Sequence, residues 1–471
     1  MNDSQPKTEP WIRGSAIATI LSGVLTVFYG CSIQVFLRLF DGFYRQRNDP
    51  GAVLLEIQLQ ARLQNYFYLL AAVFLTLAAW TLSVRFCSAG NRPGRPWRWL
   101  ENRLAGSLVA ALGFGLVLAL AVWFSSREWI HLGRPCWDNY CFYTELVSQW
   151  LGARTRESFD LLLQFMRGYN HASSPLGPLL YSVVRIATGM EVTTAFRVTN
   201  LMATIGTALI LWWHLIKPAR LGPLPDGALL FLFGTNLVVV RCSFFPQTDA
   251  LVLFWMTGLL AVALKRIAQR KLMYDVCAGA LLISGLFVKL SFLPCLALIP
   301  LWRLLDGWQK SAFDSRAEMK IWLALFVKEL LLFVVIPVAT LLAYQSIFGL
   351  RGMFLLELHA MKMADTFFPF KVMSLLHAAL FFLVLIFWGR KQLRSTDGFL
   401  LAGAALYLLS LWFSSAAGWD RFYLPLIPPL CAVAGRGLVV VQEKGGAGLV
   451  AVFVILAAFL NYFMLEFWLF Y

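Results

Sequence analysis

At residues 136–143 the chain reads Cys-Trp-Asp-Asn-Tyr-Cys-Phe-Tyr, and at residues 169–178 it reads Tyr-Asn-His-Ala-Ser-Ser-Pro-Leu-Gly-Pro. Both clusters belong to one polar stretch, residues 127–191, which is set between long apolar segments. Loops on a rigid scaffold often carry the functional side chains of a protein. We therefore expect this stretch to hold the functional residues and the apolar segments to position it.

The composition indicates a membrane protein. Of 471 residues, 59% are hydrophobic and 14% are charged, and the mean hydropathy is +0.69. Apolar runs of about 18 or more residues recur, and each can cross a hydrocarbon core ~30 Å thick as a helix. Because the runs are continuous and do not alternate, they favour helices over the strands of a barrel. The predicted fold class is an all-α polytopic membrane protein.

The net charge of +15 does not predict nucleic-acid binding, because the surplus Lys and Arg fall in short loops on one side. Such loops are cytoplasmic by the positive-inside rule. The most basic of them contains Arg92, Arg95, Arg98 and Arg103. This orientation puts the N-terminus inside and residues 127–191 outside. The first apolar run is expected to remain as a span, since no cleavage site of a signal peptide follows it.

The hydropathy pattern predicts about thirteen spans. They cover residues 15–36, 66–85, 104–124, 193–215, 227–240, 250–264, 274–288, 290–301, 321–348, 374–388, 399–413, 423–441 and 449–470. We divide the chain into two N-terminal spans with a basic loop (1–103), a core that contains the polar stretch 127–191 (104–442) and a last span (443–471).

Two short helices are predicted inside the outer loop. Residues 155–167 have apolar side chains at helical spacing, which is typical of a helix lying in the membrane interface. A second helix, Leu179–Thr188, is predicted to begin after Pro175 and Pro178 and to stop at Gly189.

Asp138 is the first candidate for chemistry. A carboxylate at the outer end of a span among aromatic side chains is partly desolvated, which raises its basicity toward that of a general base. The alternative is a loop aspartate that caps a helix, with the aromatic residues forming a membrane belt.

Two further polar residues have similar alternatives. His171 can hydrogen-bond a substrate hydroxyl or phosphate, or it can be an ordinary turn histidine. Asp249 stands where a span begins on the outer side, so it either caps that helix or supplies a second carboxylate to the site. Glu329, beside Lys328, is an ionisable residue within a predicted span, and it is expected to pair locally near the inner surface.

Two basic residues fall on the outer side, where the positive-inside rule disfavours free cations. Lys289 lies between two apolar runs, and Arg421 follows Asp420. A bound phosphate would explain both. The alternatives are a lysine that extends toward water and an Asp420–Arg421 surface pair.

Seven of the eight cysteines fall into two groups. Most stand singly in apolar segments, where buried, inert thiols are expected: Cys31, Cys242, Cys277, Cys295 and Cys431. Cys136 and Cys141 share the outer loop, so a local disulfide is one possibility. With only His131 nearby, the pair does not form a zinc set. No cofactor or metal ligand is predicted, and nothing in the sequence supports a divalent cation.

The order of these residues resembles the GT-C superfamily of membrane glycosyltransferases, in particular its protein O-mannosyltransferase and aminoarabinose-transferase branch. That branch has an acidic Asp-Glu motif in its outer loop, which Asp138-Asn139 matches with an amide at the second position. The other elements follow in order: a proline turn with a preceding His, an Arg-led span, an Asp-led span, a Gly-to-Lys element and an Arg-Tyr-x-x-Pro element. They are matched by His171-Ala-Ser-Ser-Pro175-Leu, Gly189 with Phe196-Arg197-Val-Thr-Asn, Pro246-Gln-Thr-Asp249, Gly285-Leu-Phe-Val-Lys289 and Arg421-Phe-Tyr-Leu-Pro425.

The resemblance implies an inverting transfer of a sugar from a polyprenyl-phosphate carrier to a glycan, lipid or protein acceptor. The reaction would occur on the outer face of a membrane, and the compact loops favour a bacterial inner membrane. Asp138 would be the general base. The substrate-binding residues assigned on this basis are Asn139, Tyr143, His171, Asp249, Lys289, Arg421 and Tyr423.

Three other classes compete with this interpretation. A transporter or flippase would carry buried charges in its spans and often inverted repeats. A non-catalytic relative that binds lipid would tolerate the amide at Asn139. A polysaccharide polymerase of a different fold also places a long loop outside.

Overall fold

The computed structural model describes residues 19–24, 26–27, 140–168, 174–244, 247–269, 271–309, 316–349, 368–412 and 420–469. These residues are helical almost throughout and contain no strand. Asp138, Asn139 and His171 lie outside the described residues, as do Cys31 and Cys136.

Fourteen α-helices are labelled here in chain order. They are α1 (Tyr140–Ala153), α2 (Arg156–Gly168), α3 (Leu176–Thr188), α4 (Val192–Ile210), α5 (Pro223–Gly234), α6 (Leu237–Phe244), α7 (Asp249–Gln269), α8 (Leu272–Val288), α9 (Leu298–Gln309), α10 (Arg316–Leu330), α11 (Ile336–Ile347), α12 (Phe368–Gly389), α13 (Ser395–Trp412) and α14 (Ile427–Leu469). Short 3-10 or π-helical segments join several of them: Leu211–Ile216, Lys217–Ala219, Leu290–Ala297, Leu331–Val335, Arg390–Gln392 and Asp420–Leu426.

Among the described residues, five helical segments are long and apolar enough to cross a membrane, judged by length and composition. They are Val192–Ala219, Asp249–Gln269, Leu290–Gly307, Ala317–Ile347 and Phe422–Ala458. Shorter apolar helices cover Leu176–Thr188, Pro223–Gly234, Leu272–Val288 and Ser395–Leu411. An all-helical chain with these segments agrees with a helical membrane protein. The count of thirteen spans stays a prediction.

The chain divides into two compact units. The smaller comprises Met1–Phe114, Gly222–Leu237 and Gly437–Tyr471, and the larger comprises Gly115–Leu221 and Val238–Arg436. Every described residue of the candidate site belongs to the larger unit.

Helix α7 lies at the centre of the larger unit and packs against α4 and α8. Its close approach to α4 depends on Gly206, where a Cβ would lie 2.7 Å from the ring of Phe254. Small residues at such crossings let helix backbones come close, which favours van der Waals packing where burial in lipid gives little hydrophobic gain. The packing keeps the first residue of α7, Asp249, at a fixed position among its neighbours.

The outer-loop helices follow the predicted pattern. The predicted helix at 155–167 is confirmed as α2, and the predicted short helix after the prolines is α3. Gly189 ends α3 with φ of 69°, and its N–H donates to the carbonyl of Arg185 at 2.8 Å. An Arg185–Glu145 ion pair connects α3 to α1.

Several predicted spans are interrupted. The segment predicted at 227–240 is two helices, α5 and α6, separated at Thr235 and Asn236. The last two predicted spans correspond to α14, which consists of two helical segments that meet at a kink at Gly446, where φ is 70°. Glycine accepts that left-handed conformation without steric cost, which allows the axis to change direction.

Glu329 was expected to pair locally, and its partners are two arginines from turns that the sequence predicts to be cytoplasmic. The Glu329 carboxylate accepts hydrogen bonds from Arg266 of α7 at 2.7 Å and from Arg303 of α9 at 2.6 Å. Lys328 lies 3.9 Å from Asp275. Adjacent residues on a helix point in different directions, so Lys328 and Glu329 meet different neighbours.

Candidate functional site

The candidate site is centred on an ion pair between Asp249 and Lys289. Lys289 Nζ donates to Asp249 Oδ1 at 2.6 Å, and the two side chains are 11% and 5% exposed respectively. The sequence assigned each residue separately to substrate binding, on two elements forty residues apart. The structure brings the ends of those elements into contact.

Local backbone geometry explains the position of Lys289. Helix α8 ends at Val288, and Lys289 is extended with φ of −167° before a 3-10 segment begins at Leu290. Its N–H donates to the carbonyl of Gly285 at 3.1 Å. Gly285 has no side chain to obstruct Phe292, whose ring would lie 2.4 Å from a Cβ at that position. The tight turn therefore needs glycine four residues before the lysine.

Phe422 adds a third element to the site. Lys289 Nζ lies 5.0 Å from the centroid of the Phe422 ring, which is within the range of a cation–π interaction. Phe422 and the fully buried Tyr423 belong to the 3-10 segment Asp420–Leu426. The same segment contains Arg421, of which only the backbone is described.

A hydrogen-bonded cluster fixes the chain just before Asp249. The Tyr181 hydroxyl donates to Asn200 Oδ1 at 2.9 Å and lies 3.2 Å from the carbonyl oxygen of Gln247. Asn200 Nδ2 donates to that same carbonyl at 2.8 Å. The rings of Tyr181 and Phe196 stack with centroids 3.6 Å apart. Burial, with a smaller contribution from the Asp249 carboxylate, raises the pKa of Tyr181 well above its usual value, so the hydroxyl keeps its proton.

The proline turn also packs against this region. A Cβ on Gly177 would lie 2.8 Å from the methyl group of Thr248. Glycine in Pro175-Leu-Gly-Pro178 thus lets the start of α3 approach the residue that precedes Asp249.

Asp249 does not use its side chain to cap α7. Its Oδ1 bonds to Lys289, and its buried Oδ2 has no hydrogen-bond partner in the described part of the chain. Thr248 Oγ1, next to it, is likewise buried and without a partner among those residues. Buried polar atoms are nearly always hydrogen-bonded in native proteins, so two adjacent exceptions indicate a place for a ligand or an ordered water.

Tyr143 belongs to a buried cluster formed by α1 and α2. It is 1% exposed and packs with Leu146 and Val147 of α1 and Leu162 and Met166 of α2. Its hydroxyl is hydrogen-bonded to that of Tyr344. These contacts indicate that Tyr143 stabilises the outer-loop helices.

The cysteines agree only in part with expectation. Cys242, Cys295 and Cys431 are free and buried, but Cys277 is free and exposed on α8. The apolar pattern around Cys277 could not distinguish a face buried in protein from an outward face. Cys141 is disulfide-bonded, and its partner lies outside the described residues.

Sequence reasoning missed Tyr181, Asn200 and Gln247 as neighbours of Asp249. Asn200 carried a usable signal, since it is an amide side chain three residues after Arg197 on a segment predicted to span the membrane. No group of three or more His, Cys, Asp or Glu residues that could hold a metal ion occurs within the described ranges.

No family model, curated protein or solved structure matches the chain.

Proposed function

We propose that the protein is an inverting glycosyltransferase, which moves a sugar from a polyprenyl-phosphate carrier to an acceptor on the non-cytoplasmic face of the membrane. One observation carries the proposal: Gly177, Asn200, Lys289 and Phe422 come from four separate sequence elements and meet around Asp249 and the two residues before it. If Asp249 only capped α7, its partners would be backbone N–H groups at the start of that helix. Convergence of distant elements on a buried charged pair is typical of a ligand site.

In the proposed reaction, the acceptor hydroxyl oxygen forms a bond to the anomeric carbon of the donor sugar. The bond from that carbon to the phosphate oxygen breaks, and the carrier phosphate leaves with the electron pair. Asp138 accepts the proton of the acceptor hydroxyl as the general base. His171 and Asn139 orient the reacting groups.

Lys289 is suited to stabilise the charge that develops on the departing phosphate. An ammonium group has three N–H donors, and Asp249 is the one hydrogen-bond acceptor that Lys289 contacts within the described residues. The remaining donors are available to phosphate oxygens, while Asp249 holds the group in place. Arg421, adjacent to Phe422, would supply a second cation. The prenyl tail would lie among the apolar helices of the protein, within a bacterial inner membrane.

Replacement of the proposed base tests the reaction. Asp138→Asn keeps the shape of the side chain but cannot accept a proton at neutral pH. Loss of a general base typically lowers the rate by ~10²–10⁴-fold, so we expect a loss of turnover of that size with donor binding retained. The measurement is transfer by the purified variant from a polyprenyl-phosphate-linked sugar.

Asp160→Asn is the matched control. Asp160 is an exposed carboxylate of the same outer loop, on α2, and its replacement should leave transfer unchanged. Turnover by Asp138→Asn equal to that of the unmodified protein would exclude Asp138 as the base. Absence of transfer with every carrier tested, together with movement of lipid across vesicle membranes, would replace this proposal by a transporter.

A further inference from the structure

We infer that the free oxygen of Asp249 recognises an uncharged sugar by its hydroxyl group next to the phosphate-bearing carbon. This inference rests on the proposed function and specifies the donor that the site accepts. It excludes donors that carry an amine at that carbon.

The two carboxylate oxygens of Asp249 have different contacts. Oδ1 of Asp249 holds the Lys289 ammonium at 2.6 Å, whereas Oδ2 is buried and accepts no hydrogen bond in the described part of the protein. An ionised carboxylate has about four acceptor positions, so the unused oxygen is a strong acceptor without a donor. Burial makes that lack costly, and a ligand O–H would remove the cost.

The position of Oδ2 beside Oδ1 restricts the ligand. The two carboxylate oxygens share one carbon atom, so a donor on Oδ2 lies beside the ammonium bound to Oδ1. A ligand that meets both must carry a hydroxyl close to an anionic oxygen. In a glycosyl phosphate the hydroxyl on the carbon next to the anomeric centre satisfies this requirement. Thr248 Oγ1, in the preceding residue, is a further buried group without a partner among the described residues.

The charges of Asp249 and Lys289 also restrict the ligand. Asp249 and Lys289 neutralise each other, and the nearby hydrogen-bonding groups of Tyr181, Asn200 and Gln247 are uncharged. An amine in place of the hydroxyl would bring a second ammonium beside Lys289, and Asp249 is the one carboxylate that pairs with Lys289 in the described part of the protein. Like charges in a site of low dielectric repel strongly, so a neutral hydroxyl is favoured.

A ligand series on the unmodified protein tests the inference without relying on a folded variant. The probes are farnesyl phosphate linked to a hexose, to the 2-deoxyhexose and to the 2-amino-2-deoxyhexose, and their Kd values are measured by titration calorimetry in detergent. Because one unsatisfied buried partner costs about tenfold in affinity, we expect the hexose to bind about tenfold tighter than either analogue. Equal Kd values for the three, or no binding of any, would overturn the inference.

Two variants locate the effect. In Asp249→Asn, and in Asp249→Asn with Lys289→Gln, which restores charge balance, the preference for the hydroxyl should fall to about twofold or less. In the Asp160→Asn control it should remain about tenfold. A preference that survives both changes at Asp249 would assign recognition to other residues.

Transfer measured with the same hexose donor separates the two proposals. Discrimination in binding without transfer would support the inference and contradict the glycosyltransferase. Transfer without any preference among the three ligands would support the glycosyltransferase and contradict the inference.

Discussion

Lys289 and Asp249 stand at the ends of two apolar helices, where the sequence offers no partner for either. In the folded protein each is the partner of the other, so the charge of the pair is balanced in a buried setting. A buried ion pair is weak evidence for stability, because desolvation of two charges offsets their attraction. Contact with a ligand would give such a pair a role other than stability.

Removing one member of the pair should cost more than removing both. Lys289→Met leaves a buried carboxylate uncompensated, a change that costs about 3–5 kcal/mol in other proteins. Asp249→Leu combined with Lys289→Met removes both charges and should recover most of the loss in Tm. Both variants should bind the donor more weakly, because the contact from Lys289 to the phosphate is absent. The measurements are thermal unfolding in detergent and donor titration.

Lys271→Met serves as the control for that pair of variants. Lys271 is an exposed lysine at the start of α8, and its replacement should change neither Tm nor donor affinity. If the double variant were as unstable as Lys289→Met, the loss would come from packing and the balance of charge would not explain it.

At the level of elements, the turn between α8 and the following 3-10 segment decides where Lys289 lies. Gly285→Ala would place a Cβ 2.4 Å from the ring of Phe292, which must then move. Overpacking of this kind costs about 1–3 kcal/mol, so we expect a lower Tm and weaker donor binding. Both are measured on the purified variant.

The same helix provides a matched control in Gly279→Ala. A Cβ on Gly279 would meet nothing within 4 Å, so the change should leave donor binding intact. Alanine is a better helix former than glycine, which predicts a gain of roughly 0.5–1 kcal/mol. A loss of donor binding in Gly279→Ala equal to that in Gly285→Ala would show that the turn is not the cause.

The elements also show where sequence reasoning succeeds. Helices α2 and α3 and the stop at Gly189 were predicted because amphipathic spacing, proline and glycine act locally. The separation of α5 from α6 was missed, since Thr235 and Asn236 are too few polar residues to interrupt a hydropathy window. The burial of Tyr143 was missed as well, because its packing depends on α2 and on Tyr344 of α11, which are distant in sequence.

For the candidate site, sequence order identified Asp249 and Lys289 but gave neither their contact nor their setting. Contact between residues forty positions apart depends on how α7 and α8 pack, and hydropathy carries no information on that. The cluster of Tyr181, Asn200 and Gln247 depends on three separate segments for the same reason.

At the level of the whole molecule, the predicted orientation can be measured by labelling. In a background without free thiols, a cysteine at position 156 should react with a membrane-impermeant maleimide in intact cells. A cysteine at position 271 should react only after lysis, because its loop is predicted to be cytoplasmic. The Arg156 side chain is 94% exposed, and Lys271 is also exposed, so access within the protein does not limit either reaction. Labelling of 271 and not 156 from outside would invert the topology.

Both arginines that bond to Glu329 are synthesised before it. Arg303 and Glu329 are bonded in the finished protein, but the ribosome makes the arginine 26 residues before the glutamate. At about 5–20 residues per second, the nascent chain carries Arg303 for a few seconds before Glu329 is synthesised. Arg266 has an earlier partner, because it also bonds to Asp275 at 2.5 Å, only nine residues later. The hairpin of α7 and α8 can therefore neutralise its arginine as it emerges, whereas α9 must wait for α10.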